Sequence, residues 1–229
     1  MLMRPAIAAV ASQTPCRQLP RSGVDINTIA GSMELMGTRI PYARNVEIFG
    51  EGEPADYLYK VVSGSVRSCK ILDDGRRQVT GFYMVGEVFG LEPDEEHQFS
   101  AEAVNDTVVL VVKRSAIIGL AARDADIARQ LWAVTAQQLQ RVQDHMLVLG
   151  CLSAKQRVAA FLLRMALRSS GGDEIELPMT RQDIADYLGM TIETVSRTMT
   201  QLENDGAISL VSSRHIVLRN RAALARLNA

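Results

Sequence analysis

The sequence predicts an α+β chain built from an N-terminal β-roll of the double-stranded jelly-roll kind, one long helix, and a C-terminal winged helix-turn-helix. Three observations predict it. Short strand-like runs broken by glycine occupy residues 40–113. Apolar residues then recur with 4-3-4-3-4-3 spacing from Ala128 to Leu149. Finally, Thr180 to Gly206 holds two capped helical segments around a glycine turn, with strands close behind.

The composition frames these parts. The chain has 229 residues, 47% apolar and 22% charged, with a net charge of −1, so no overall basic field advertises nucleic-acid binding. From Cys151 to Ala229 ten Lys/Arg stand against eight Asp/Glu, a local excess of +2 that is compatible with a focused basic patch. The three cysteines, Cys16, Cys69 and Cys151, lie far apart, which argues against a disulfide framework and fits a reducing cytoplasm. His97, His145 and His215 are equally scattered, so no metal site is expected. No run approaches the roughly 20 apolar residues of a membrane span. The start, MLMRPAIAAVA, imitates a signal peptide, but its apolar stretch is short and broken by Pro5.

In chain order, residues 1–34 are expected to form a flexible arm, with one short helix around Asp25 to Met36. The roll is assigned to residues 35–124. Its strand-like runs are 46–49, 57–62, 65–72, 78–84, 86–89, 99–104 and 107–112, and Asp73-Asp74-Gly75 supplies a hairpin turn. Such a roll can hold a small ligand, but filling by its own side chains is the default for a small barrel. Residues 125–152 form the long helix and a hinge. Trp132, Thr135, Leu139, Val142, Met146 and Leu149 make a seam suited to a second copy of the chain, while Ile127, Leu131 and Val134 face the roll. A helix buried within one chain is the alternative. Gln137, Arg141 and Asp144 are expected to stay wet, and Cys151 at the hinge to be a buried, inert thiol.

Residues 153–229 form the winged unit. Thr180 caps its first helix with Asp183 as the reciprocal partner, Gly189 ends it, and Thr191 caps the second. Ile192, Val195, Met199 and Leu202 are the inward stripe of that second helix. Glu193, Ser196, Arg197 and Thr200 share a different, polar face suited to base edges in a major groove. Ordinary helical hairpins show the same spacing without DNA, and Ser196 and Thr200 also suit plain exposed positions. Strands 207–211 and 215–218 form a wing around Ser212-Ser213-Arg214, whose tip can rest on phosphates.

From about residue 40 onward the chain resembles the Crp/Fnr family of bacterial transcription regulators. The likeness is carried by Tyr57-Leu-Tyr-Lys-Val-Val-Ser-Gly-Ser-Val-Arg, Val85-Gly-Glu-Val-Phe-Gly and Thr180-Arg-Gln-Asp-Ile-Ala-Asp-Tyr-Leu-Gly. Ile192-Glu-Thr-Val-Ser-Arg has the Glu-x-x-Ser-Arg arrangement of the Fnr branch. Asp73-Asp-Gly-Arg-Arg-Gln, Gly81-Phe-Tyr-Met-Val-Gly and Ile216-Val-Leu-Arg-Asn-Arg look closest to the FixK group, regulators of nitrogen fixation and microaerobic respiration.

The resemblance implies a cyclic-nucleotide-binding-like roll and a homodimeric activator that binds TTGA-type palindromes in double-stranded DNA and contacts RNA polymerase. It implies DNA contacts by Thr180, Arg181, Thr191, Glu193, Thr194, Ser196, Arg197, Thr200 and Ser213, with Glu193, Ser196 and Arg197 reading the half-site. The loop Ser169 to Glu174 is its candidate polymerase surface, with Asp73 to Arg77 a weaker one.

Two departures bear on the signal. Only Cys16 lies in the arm, too few thiols for an iron–sulfur cluster. Phe99-Ser-Ala stands where cyclic-nucleotide binders of the family carry Arg-Ser-Ala, and Val142-Gln143 where they carry Thr-Ser. A regulator without cofactor or effector is therefore expected, an effector-dependent one being the alternative. A jelly-roll enzyme is remote, because His97 is the only roll histidine and no nucleophile–base grouping occurs.

Overall fold

The computed structural model describes residues 28–169 and 172–227. The expected arm and Cys16 lie outside that range, apart from its last turn. There Thr28 caps helix α1 (Ile29–Met36), accepting from the Gly31 amide, within the stretch where a short helix was expected.

Eight strands follow: β1 (Thr38–Tyr42), β2 (Glu47–Phe49), β3 (Tyr57–Ser63), β4 (Val66–Ile71), β5 (Arg77–Tyr83), β6 (Val88–Phe89), β7 (Ser100–Ala103) and β8 (Thr107–Lys113). They form two antiparallel four-stranded sheets, ordered β1-β8-β3-β6 and β2-β7-β4-β5. Alternation along β3 and β8 turns Tyr59, Val61 and Val109 into the roll and Leu58, Leu110 and Val112 to the opposite face, which the helices cover. The connections are hairpins or longer returns across the two sheets, the geometry of a roll. The Asp73-Asp74-Gly75 turn joins β4 to β5, with Gly75 at φ 81°. At Gly64 (φ 80°) a Cβ would lie 2.4 Å from the Thr107 hydroxyl oxygen, so no other residue fits that turn.

Helix α2 (Arg114–Ala121) leads into α3 (Ala125–Cys151), whose N-terminus Asp124 caps by accepting from the Asp126 and Ile127 amides. One face of α3 is held inside the chain. Ile127 and Leu131 pack with α1, α2 and the roll, Gln138 donates to the Val88 carbonyl at 2.6 Å, and His145 and Val148 are buried further along. Arg141, expected to be wet, pairs with Glu87 at 3.0 Å because it lies on this inner side. Cys151 is exposed rather than buried: the inward place at the hinge falls to its neighbour Leu152, which packs against the core.

The last unit comprises α4 (Ala154–Arg168), β9 (Glu174–Glu176), α5 (Arg181–Leu188), α6 (Ile192–Asn204), β10 (Ile208–Leu210), β11 (His215–Leu218) and α7 (Arg221–Arg226). Ser153 and Gln156 close a capping box on α4. The wing is a three-stranded sheet, β10-β11-β9, so the strand before the two helices joins the hairpin behind them. Phe161, Leu162, Ile184, Leu188, Val195, Met199, Leu202 and Ile216 fill the interior, and this core runs without a break to Val79 and Phe82 of the roll.

Candidate nucleic-acid interface

Two local devices set the helix-turn-helix. The Thr180 hydroxyl accepts from the Asp183 amide at 3.1 Å, while the Asp183 carboxylate accepts from the Thr180 amide at 2.9 Å and its hydroxyl at 2.7 Å. Gly189 then takes φ 62°, ψ 45°, and turns the chain out of α5. Thr191 caps α6, accepting from the Thr194 amide at 3.2 Å.

This construction sorts the side chains of α6. Val195, Met199 and Leu202 are fully buried, while Ile192 at the first turn stays 37% exposed. Glu193, Ser196, Arg197 and Thr200 are all exposed on one face, so nothing among the described residues covers the polar surface predicted to meet base edges. Its own backbone amide and the Thr191 hydroxyl, with a smaller share from Arg197, hold the Glu193 carboxyl below its ordinary range. It therefore stays an acceptor, while Arg197 offers donors four residues on. Thr180 and Thr194 are half-buried, with their hydroxyls engaged in caps. Arg181 is half-buried too, and its inner Nη1 finds no acceptor among the described residues. Ser213 is exposed at the wing tip beside Ser212, whose Oγ accepts from the His215 amide at 3.0 Å.

Along α3, Trp132, Leu139, Val142 and Met146 are 75%, 58%, 63% and 65% exposed. Thr135 is exposed beside them, and Leu149 is half-buried, within reach of the Gly189 turn. An apolar stripe of this length left open by the chain's own fold is the mark of an association surface.

A cavity of about 740 Å³ lies between the roll and α3, against the expectation that side chains would fill the interior. Phe49, Tyr59 and Phe89 stack at one end, with His97 lying 3.6 Å from the Phe49 ring, and leave the side towards α3 open. The walls include Phe99, Leu91, Val142 and Met146, and among the described residues the sole charged lining residue is Glu92. His145 also lines it; burial, then Arg164 nearby, pushes its pKa down to about 4 against the opposing Tyr187 carbonyl, so the ring is neutral. A cyclic phosphate placed here would meet a carboxylate and no lining cation among the described residues, so these residues do not fit a cyclic nucleotide.

The sequence reading missed the inner histidine. His145 stacks on Tyr187 of α5 with ring centroids 3.9 Å apart, joining the long helix to the helix-turn-helix. A polar residue spaced with Ile127, Leu131 and Val134 rather than with the open seam was the available signal.

An open polar helix face, an adjoining wing and a helix with an uncovered apolar stripe define a DNA-binding regulator of the winged helix-turn-helix class. Comparison with known proteins agrees. Residues 39–124 match the cyclic nucleotide-binding domain and residues 156–227 the Crp-like helix-turn-helix domain. The nitrogen fixation regulation protein FixK of Azorhizobium caulinodans is 50% identical over 198 residues, covering 84% of this chain and 80% of that protein. FixK of Rhizobium meliloti is 40% identical, covering 85% and 90%. The structure of FixK2 from Bradyrhizobium japonicum superimposes with a TM-score of 0.82 at 49% identity, covering 85% of this chain and 98% of that one. The chain belongs to the Crp/Fnr family of transcription regulators, and FixK proteins are among its relatives. Among the described residues no helix is long and apolar enough to cross a membrane, and no cluster of three or more His, Cys, Asp or Glu could hold a metal.

Proposed function

We propose that this protein is a homodimeric, cytoplasmic activator of the FixK type that binds TTGA-type palindromes and controls nitrogen-fixation or microaerobic respiration genes. The observation that carries the reading is the free face of α6. Glu193 suits cytosine N4 as acceptor, Arg197 suits guanine O6/N7 or a phosphate as donor, and Ser196 and Thr200 are short enough to let the backbone approach. Thr180, Arg181, Thr191, Thr194 and Ser213 surround that face as phosphate-side contacts. Trp132, Thr135, Leu139, Val142, Met146 and Leu149 are the dimer seam, which would set two copies of α6 about 34 Å apart, one turn of DNA. The lining of the roll cavity supports activity without a cyclic nucleotide. Ser169 to Glu174 is the proposed RNA polymerase contact, and no catalytic role is assigned.

Fluorescence anisotropy with a TTGA palindrome and a scrambled duplex tests the site. Arg197→Ala should weaken binding to the palindrome by about 5- to 150-fold per half-site contact while leaving the scrambled duplex nearly unchanged. Equal binding of both duplexes by the unaltered protein would refute the TTGA assignment.

A further inference from the structure

A buried group of charges between the roll and α5 serves neither the reading face nor the seam. Asp183, only 2% exposed at its side chain, sits where the first turn of α5 meets the β4–β5 hairpin of the roll. Arg67 of β4 donates to it from Nη1 at 3.1 Å, and Arg77 of β5 from Nη2 at 2.6 Å. Arg77 reaches on to Asp186 one turn later, at 2.8 Å through Nε. Arg67 is fixed from behind, its Nε and Nη2 donating to Glu102 of β7 at 2.8 and 2.5 Å, with Asn45 at 3.3 Å. Gln78 closes the junction, its Nε2 donating to the Asp186 carbonyl at 2.7 Å. Across the junction two cations meet two carboxylates, Arg67 and Arg77 from the roll against Asp183 and Asp186 from α5, and a third carboxylate, Glu102, anchors the first arginine within the roll.

The junction is built for direction as well as attachment. Two planar guanidiniums from neighbouring strands converge on one carboxylate, which fixes both distance and angle in a way that apolar packing does not. Burial would raise the Asp183 pKa, but the Thr180 hydroxyl and amide, then Arg67 and Arg77, outweigh it and keep the carboxyl ionised. The same carboxylate caps α5, so the roll arginines hold the residue that sets where α5 begins. With the contacts in place, Glu193, Ser196, Arg197 and Thr200 remain exposed, so the docked arrangement leaves the reading face free.

We infer that Arg67 and Arg77 of the roll are positioning residues for DNA reading, acting through Asp183 and Asp186 to fix the orientation in which α6 is presented. The inference rests on the proposed dimeric reading of a palindrome. In such a dimer each base pair added between half-sites moves them about 3.4 Å apart and rotates one against the other. Rigidly held readers must therefore discriminate spacing, and loosened ones must discriminate less.

The test is a series of TTGA palindromes whose central spacer is optimal, one base pair shorter or one base pair longer, titrated with full-length protein well below its melting temperature. Arg77→Met keeps the aliphatic stem and removes the charge, Arg77→Lys restores a charge without the planar fork, and Gln78→Leu removes one peripheral donor. Arg77→Met should lose about tenfold or more affinity for the optimal spacer and much of the penalty against the other two. Arg77→Lys should recover affinity more fully than spacing discrimination, and Gln78→Leu should show a smaller change in the same direction. If Arg77→Met does not fold, Gln78→Leu carries the test alone. Folded variants with wild-type spacing discrimination would overturn the inference, whatever their melting temperatures. A wild-type protein indifferent to spacing would overturn the dimeric reading itself, and this assignment with it.

Discussion

The roll and the winged unit each present a surface able to receive something, and they differ in what those surfaces are made of. The cavity of the roll keeps its volume, but aromatic, aliphatic and neutral polar side chains line it, and among the described residues its one charged lining residue is a carboxylate. The α6 face has little concavity, yet it carries an ionised acceptor, a guanidinium and two hydroxyls in the open. Shape alone therefore says little about use. A site takes its ligand class from the donors and acceptors it offers, and the two surfaces offer different ones.

The comparison can be broken or sharpened by experiment, and the largest effect concerns pairing. The reading face should count only in duplicate, so Leu139→Glu, which places a charge in the open seam, should give a monomer by sedimentation velocity. It should also lose at least about hundredfold affinity for a palindrome. A monomeric variant with undiminished affinity would mean that one reading face suffices.

Next in size is the joint between the units. The folded pKa of His145, about 4, lies below the ordinary value of about 6.5, so the unfolded chain takes up a proton at a higher pH than the folded one. The stabilisation is present in full above about pH 6.5 and disappears as pH falls towards 4, amounting to as much as about 3 kcal/mol. Denaturant titrations across that range should show the slope, and His145→Phe, which keeps the stack on Tyr187, should flatten it. Smaller is Gly189→Ala. A Cβ there meets Leu149 at 3.5 Å, an ordinary contact, so the cost is the left-handed backbone, about 1–2 kcal/mol. It should appear as a melting point lower by about 2–4 °C per kcal/mol. The smallest effect belongs to the roll: titration calorimetry with cAMP or cGMP should give no saturating heat, and a saturable signal would restore the effector-dependent alternative.

Legibility in the sequence followed the range of the interactions. The caps at Thr180 and Thr191, the Gly189 turn and the spacing on α3 depend on residues within one or two turns, and the structure shows them where the pattern placed them. Three elements were passed over. β1 is largely exposed and contains Pro41, so it lacks alternation; α2 has no side-chain cap; α7 is only six residues long. The junction at Asp183 was illegible for another reason, since Arg67 lies 116 residues away in the chain. Nothing local separates a strand arginine that turns inward to a partner from one that turns to water. The cavity was misjudged because its open side depends on how α3 crosses the roll, which no strand pattern encodes.

The double duty of Asp183 has a practical consequence for protein engineering. Its carboxylate belongs at once to the start of α5 and to the floor of the roll. A chimera joining this winged unit to the roll of another regulator at the hinge near residue 152 would bury that carboxylate without its cations. Grafts that also carry arginines at the places of residues 67 and 77 should stay soluble and active, whereas a cut chosen from chain connectivity alone should not. The two units are separable on paper and share one side chain in practice.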